Sequence, residues 1–145
     1  MGARPDVQGR AVVRADAVVI EMQKANYIGA PRVFTLELAC KQINEAFGGF
    51  GCFLVGSSIQ RADWRDVDIR LILPDDQFRN LFPDSEINYE LDCRWLILSS
   101  SLSMFLSKVS GLPVDFQIQP QTKANLQHTG QRHAIGLSNS VNEKE

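Results

Sequence analysis

The chain has 145 residues, 44% hydrophobic and 22% charged, which suits one domain around one core and excludes a multidomain assembly. Its net charge of -2 supplies no global field for nucleic acid, and no apolar run approaches the roughly 18 residues of a membrane span. The N-terminus MGARPDVQGR lacks a signal-peptide core, so a cytoplasmic location and no membrane partner are expected.

The polar ends, 1–10 and 138–145, carry no apolar face and are expected to be mobile. From Ala11 to Met22 neither period is clean, and a helix is the expectation. Gly29-Ala30-Pro31 punctuates the chain, and Thr35 is the expected N-cap of a helix with Leu36, Leu38, Ala39, Ile43, Ala46 and Phe47 on its apolar side. Gly48-Gly49 stops it. Gly51 to Val55 is a short apolar run bounded by glycines, a buried strand leading into Gly56-Ser57-Ser58. Val67 to Leu73 is a β-branched run closed by Pro74-Asp75-Asp76, a strand expected beside the first.

A short helix is expected around Phe78 to Phe82. From Tyr89 to Val109, apolar residues recur at threes and fours (Tyr89, Trp95, Leu96, Leu102, Phe105, Leu106, Val109), giving the longest helix. Its wide stripe offers a dimer face, although core burial is the expected use. Gly111 and Pro113 end it, and Val114 to Gln119 alternates as a third strand with one wet face. A last short helix is expected over Gln121 to Gln127, with Gly130 and Gly136 breaking the C-terminal stretch beyond it. Cys40, Cys52 and Cys93 are odd in number, lack CxxC spacing and read as core thiols of a reducing compartment.

Acidic residues are unevenly placed: nine of the seventeen lie between Asp63 and Asp92, offset there by Arg65, Arg70 and Arg79 alone. A solvated face would explain them, and so would a place where cations are held. Asp66 and Asp68, two apart at the start of a strand, project to one side of the sheet about 6–7 Å from each other. Their repulsion becomes a gain when a hard divalent cation binds. Asp115 adds a third carboxylate on the wet face of the later strand, with Gln117 and Gln119. Gly56 permits close backbone approach, and exposed N–H groups with the hydroxyls of Ser57 and Ser58 suit a phosphate. Arg61, Arg65 and Arg70 flank the acids and are either phosphate contacts or partners of nearby Asp. His128 and His133 have poor metal spacing and read as surface residues. Arg132-His133 would close over a triphosphate if the C-terminal segment folded back on the sheet. Trp64 either packs or stacks on a base.

In order, Val55-Gly56-Ser57, Asp66-Val67-Asp68-Ile69 and Val114-Asp115-Phe116 resemble the polymerase-beta-like nucleotidyltransferase superfamily over about residues 35 to 119. The resemblance implies an α+β fold, a small twisted mixed sheet with helices packed against it, in a minimal single-domain member. It implies transfer of a nucleoside monophosphate from a nucleoside triphosphate such as ATP. Gly56, Ser57 and Ser58 would contact the triphosphate, and Asp66 and Asp68 would share two Mg²⁺ or Mn²⁺ ions. Asp115 would ligate the metal near the acceptor and help to deprotonate it. A protein acceptor, such as a helical toxin-like partner, or a small molecule fits this expectation, and a homo-oligomer is compatible with it. A free polynucleotide acceptor is disfavoured, because no basic surface interleaved with aromatics is visible. The alternatives are a catalytically inactive nucleotide-binding or interaction module of the same fold, and a structural protein with an acidic surface.

Overall fold

In a computed structural model of the chain, the described residues are 27–48, 51–83 and 88–137. The expectations for 1–10, for Ala11 to Met22 and for 138–145 fall outside them. Helix α1 (Arg32–Ala46) starts at Pro31, ahead of the place expected from Thr35. Pro31 has no N–H to satisfy and a restricted φ, so the first turn forms without a side-chain cap. Thr35 Oγ donates instead to the Pro31 carbonyl at 3.5 Å, inside that turn.

The chain continues through β1 (Cys52–Val55), a 3-10 turn (Gly56–Ile59), β2 (Val67–Leu73), α2 (Asp75–Leu81) and a second 3-10 turn (Tyr89–Leu91). It then forms α3 (Cys93–Ser110), β3 (Val114–Pro120), α4 (Gln121–Gln127) and β4 (His133–Ile135). The strands make one mixed sheet in the order β3-β2-β1-β4, with β1 antiparallel to both neighbours and β2 parallel to β3. The expected α+β architecture is present. A parallel pair needs a long crossover, and α2 and α3 supply it. Among the described residues no helix is long and apolar enough to cross a membrane.

Alternation along the strands divides the sheet into two faces. Cys52, Leu54, Val67, Ile69, Leu71, Leu73, Phe116, Ile118 and Ile135 form the core with Leu36, Cys40 and Ile43 of α1 and Leu106 of α3. Cys40 and Cys52 are core thiols, and their contact with each other, together with burial, pushes the Cys52 thiol far up. Cys93 is exposed, contrary to expectation, because it opens α3 just after the Asp92 cap and points away from the core.

Helix α3 begins at Cys93 rather than Tyr89, since Asp92 Oδ1 accepts from the N–H groups of Arg94 (2.8 Å) and Trp95 (3.1 Å). Gly111, at φ 74°, ends it. The helix lies along the free edge of β3. Trp95, Ser103 and Ser107, on one i, i+4 row, meet that edge: Trp95 Nε1 donates to the Ile118 carbonyl at 2.7 Å. Ser103 Oγ accepts from Phe116 N at 2.8 Å and donates to Phe116 O at 3.1 Å, and Ser107 Oγ accepts from Val114 N at 3.0 Å. Polar side chains thus do what a further strand would do. In consequence the apolar stripe is turned partly outward, leaving Leu96 42%, Phe105 38% and Val109 41% exposed.

Strand β4 has no counterpart in the sequence expectations, being three residues between glycine breakers. Buried Asn44 of α1 pins it, donating from Nδ2 to the carbonyls of Ile135 (3.1 Å) and Gly136 (2.8 Å) while Oδ1 accepts from Cys52 N (2.9 Å). Gly136, at φ +77°, packs so closely on α1 that a Cβ there would stand 2.6 Å from Cys40 Cβ.

Candidate active site

The sheet face away from α1 and α3 carries the polar residues that the sequence singles out. Register fixes their rows: Val55 pairs with Asp68 and Asp68 with Asp115, while Phe53 pairs with Arg70 and Arg70 with Gln117. Ile72 pairs with Gln119 in the next row. Parallel pairing of β2 with β3 therefore sets the carboxylates of Asp68 and Asp115 side by side at one end of the face. Asp66 precedes β2 and is exposed at the rim. There it lines, with Asp115, a groove of about 480 Å³ that runs along Ser100, Met104 and Ser107 of α3.

Gly56 leaves β1 at φ +80°, and a Cβ at that position would collide with Asp68 Oδ2. Only glycine suits both the left-handed backbone and the close approach, so the turn and the carboxylate are built against each other. Ser57 stays partly exposed beside it, its carbonyl accepting from the N–H groups of Gln60 and Arg61 at 3.0 Å each. Ser58 is placed differently from its neighbours: it is fully buried, its carbonyl accepts from Tyr27 N at 2.7 Å, and its hydroxyl has no partner among the described residues.

Burial raises the Asp68 carboxyl above the ordinary carboxylate range; Arg70 opposes the shift, and Asp115 and Asp66 add to it. A carboxylate disfavoured by desolvation and by like charge is the condition a bound cation relieves. The donor set is all oxygen, which suits Mg²⁺ or Mn²⁺. Among the described residues no three His, Cys, Asp or Glu side chains converge tightly enough to enclose an ion alone. Magnesium is commonly held by one or two carboxylates, with substrate phosphates and water completing the shell, and Asp68 with Asp115 meets that requirement. Arg70 is buried and reaches across to β3: Nη1 donates to the Asp115 carbonyl (2.8 Å) and Nη2 lies 3.3 Å from Asp115 Oδ2, while Nη1 also donates to the Ile69 carbonyl (3.1 Å) of its own strand. It fixes Asp115 in place rather than reaching freely for a phosphate.

Other flanking residues resolve into ordinary roles. Arg61 pairs with Asp63 at 3.1 Å, and Trp64 packs on the core while its Nε1 donates to the Tyr27 carbonyl at 3.1 Å. Gln119 is buried and serves the fold: its Nε2 donates to Gln127 Oε1 at 2.9 Å and its Oε1 meets His128 Nε2 at 3.1 Å. His128, expected on the surface, is half-buried over the polar face, and burial, with the charges of Arg70 and Arg132, holds its proton affinity low. The C-terminal segment does fold back on the sheet. Arg132 then lies over the Phe53 ring, its Cζ 5.6 Å from the centroid. The sequence signalled Arg132 only conditionally, because a strand of three residues has no readable period.

No family model matches the chain, and neither a curated protein nor a solved structure shows significant similarity to it.

Proposed function

We propose that the chain is a divalent-metal-dependent nucleotidyltransferase, moving a nucleoside monophosphate from an NTP to a protein or small-molecule acceptor. The observation that carries this reading is the pairing of Asp68 with Asp115 on adjacent parallel strands, pressed against the Gly56-Ser57 turn. Asp68 and Asp115 would hold the metal, with Asp66 at the solvated rim. When bound, the metal neutralises charge on the attacking and leaving oxygens.

The Gly56-Ser57 turn presents backbone at the place where phosphate would lie over Val55 and Asp68. The acceptor approaches along the groove of Asp66, Ser100, Met104 and Ser107, which ends at Asp115. Its hydroxyl or amine forms the new bond to the α-phosphorus as the bond to the bridging oxygen of the β-phosphate breaks. The acceptor proton passes to the Asp115 carboxylate, held in position by Arg70, and pyrophosphate departs with the bonding pair. A second reading, a nucleotide-binding module without turnover, draws on one observation: Arg70 already occupies Asp115 Oδ2 at 3.3 Å.

Incubation with each α-labelled NTP and Mg²⁺ or Mn²⁺, with and without cell lysate, separates them. Label moved by the wild type and lost in Asp66→Asn, Asp68→Asn and Asp115→Asn is the expected result. Metal-dependent NTP binding without transfer selects the inactive module, and neither binding nor transfer sinks both.

A further inference from the structure

We propose that Arg132 forms a phosphate subsite on the polar face of the sheet that takes the β- and γ-phosphates of the nucleotide. The proposal rests on the nucleotidyltransferase reading above and assigns that site its cationic half. The segment after β3 crosses the face at the end remote from the acids: α4 packs on β3 and β2, and Gln127 and His128 bond to buried Gln119. Coverage fades toward the acids, from Gln119 at 2% exposed to the Asp115 side chain at 48%. Toward the acids, Asp68, Asp115 and Gln117 stay partly exposed, as do His128 and Arg132 on the returning segment.

Charge is divided along this face. Arg70 is matched to Asp115, whereas among the described residues Arg132 has no carboxylate partner. Arg132 is nonetheless held in place: Nη2 donates to Asn125 Oδ1 at 2.6 Å and the guanidinium carbon lies over the Phe53 ring. A neutral anchor and an aromatic shelf position the cation without consuming its charge, leaving further N–H donors for an anion. Phe53 lies one pleat repeat, about 6–7 Å, from Val55 and the Asp68 row. A phosphate chain laid over Val55 would therefore reach the metal-binding carboxylates at one end and Arg132 at the other. Arg132 would also offset the negative charge on the departing pyrophosphate.

Calorimetric titration of inorganic pyrophosphate and of AMP, each with Mg²⁺, into wild type, Arg132→Gln and Arg132→Lys tests the subsite. Arg132→Gln should bind pyrophosphate about tenfold or more weakly, the loss expected for a charge-assisted contact, with AMP unchanged. Arg132→Lys, which keeps the charge but not the fork, should fall between. If Arg132→Gln fails to fold, Asn125→Ala and Phe53→Leu, which release the guanidinium but keep its charge, should each weaken pyrophosphate several-fold. Equal pyrophosphate affinity in all variants, or an equal loss for AMP, overturns the proposal. Label transfer that is indifferent to Arg132 removes the subsite and leaves the enzyme reading standing. Pyrophosphate bound through Arg132, without transfer by the wild type, does the reverse.

Discussion

At the residue scale, Asp68 sits where folding disfavours its charge. Because burial and its acidic neighbours raise the Asp68 carboxyl, the protonated form is the one favoured by folding. Its contribution is therefore present at low pH and lost as pH rises from the unfolded carboxylate value through the folded one. In metal-free protein at neutral pH, Asp68→Asn should leave the melting temperature unchanged or higher, while the rise in melting temperature on adding Mg²⁺ or Mn²⁺ disappears. Thermal melts with and without metal check both halves, and a metal-free loss of stability would contradict the argument. Gly56→Ala should do the opposite. It sets an L-residue at φ +80° against Asp68 Oδ2, a cost of at least ~1–2 kcal/mol, and it displaces a carboxylate of the site. Denaturant titration should register the first effect and label transfer the second.

At the scale of elements, α3 is a sheet-edge cover as much as a core helix. Ser103 and Ser107 satisfy both the N–H and C=O groups of β3 residues that no strand reaches. Removing either hydroxyl strands buried backbone groups, so Ser103→Ala should cost about 1–3 kcal/mol in urea denaturation. Ser99, on the same row, is buried with a hydroxyl that has no partner among the described residues. Ser99→Ala should therefore be neutral or slightly stabilising, and an equal loss at both positions would refute the edge-cover account. In sequence Ser103 and Ser107 interrupt an apolar helix without explanation, because their partners, Phe116 and Val114, are backbone groups 13 and 7 residues ahead on β3.

At the scale of the whole molecule, the polar face is roofed by a segment tied back to the β2 end. Asp75, opening α2, accepts from both the N–H and the hydroxyl of Thr122 in α4, and these bonds hold its carboxyl below the ordinary range. The stability it contributes is present above the unfolded carboxylate value and lost as pH falls through the folded one. Stability measured from pH 7 down to 3 should therefore fall less steeply in Thr122→Val than in wild type. If the tie positions the roof, the same variant should also weaken pyrophosphate binding, since Arg132 follows α4 along the chain.

Much of this was legible in the residues. Glycine, proline and β-branched runs marked β1, β2 and β3, and alternation placed Asp68, Asp115, Gln117 and Gln119 on one face, because side-chain direction in a strand is a local property. Gly56 was recognisable as a turn residue, but its contact with Asp68 was not. The pairing of Asp68 with Asp115, the capture of Asp115 by Arg70, the inward turn of Ser58 and the arrival of Arg132 over Phe53 all depend on strand order and register. These are set by which apolar faces pack together across the chain, a long-range choice that no local period encodes. The sequence thus determined which chemical groups the sheet would present and on which side. The tertiary structure alone decided which of them meet, since neighbours across a sheet are joined by packing and not by the chain.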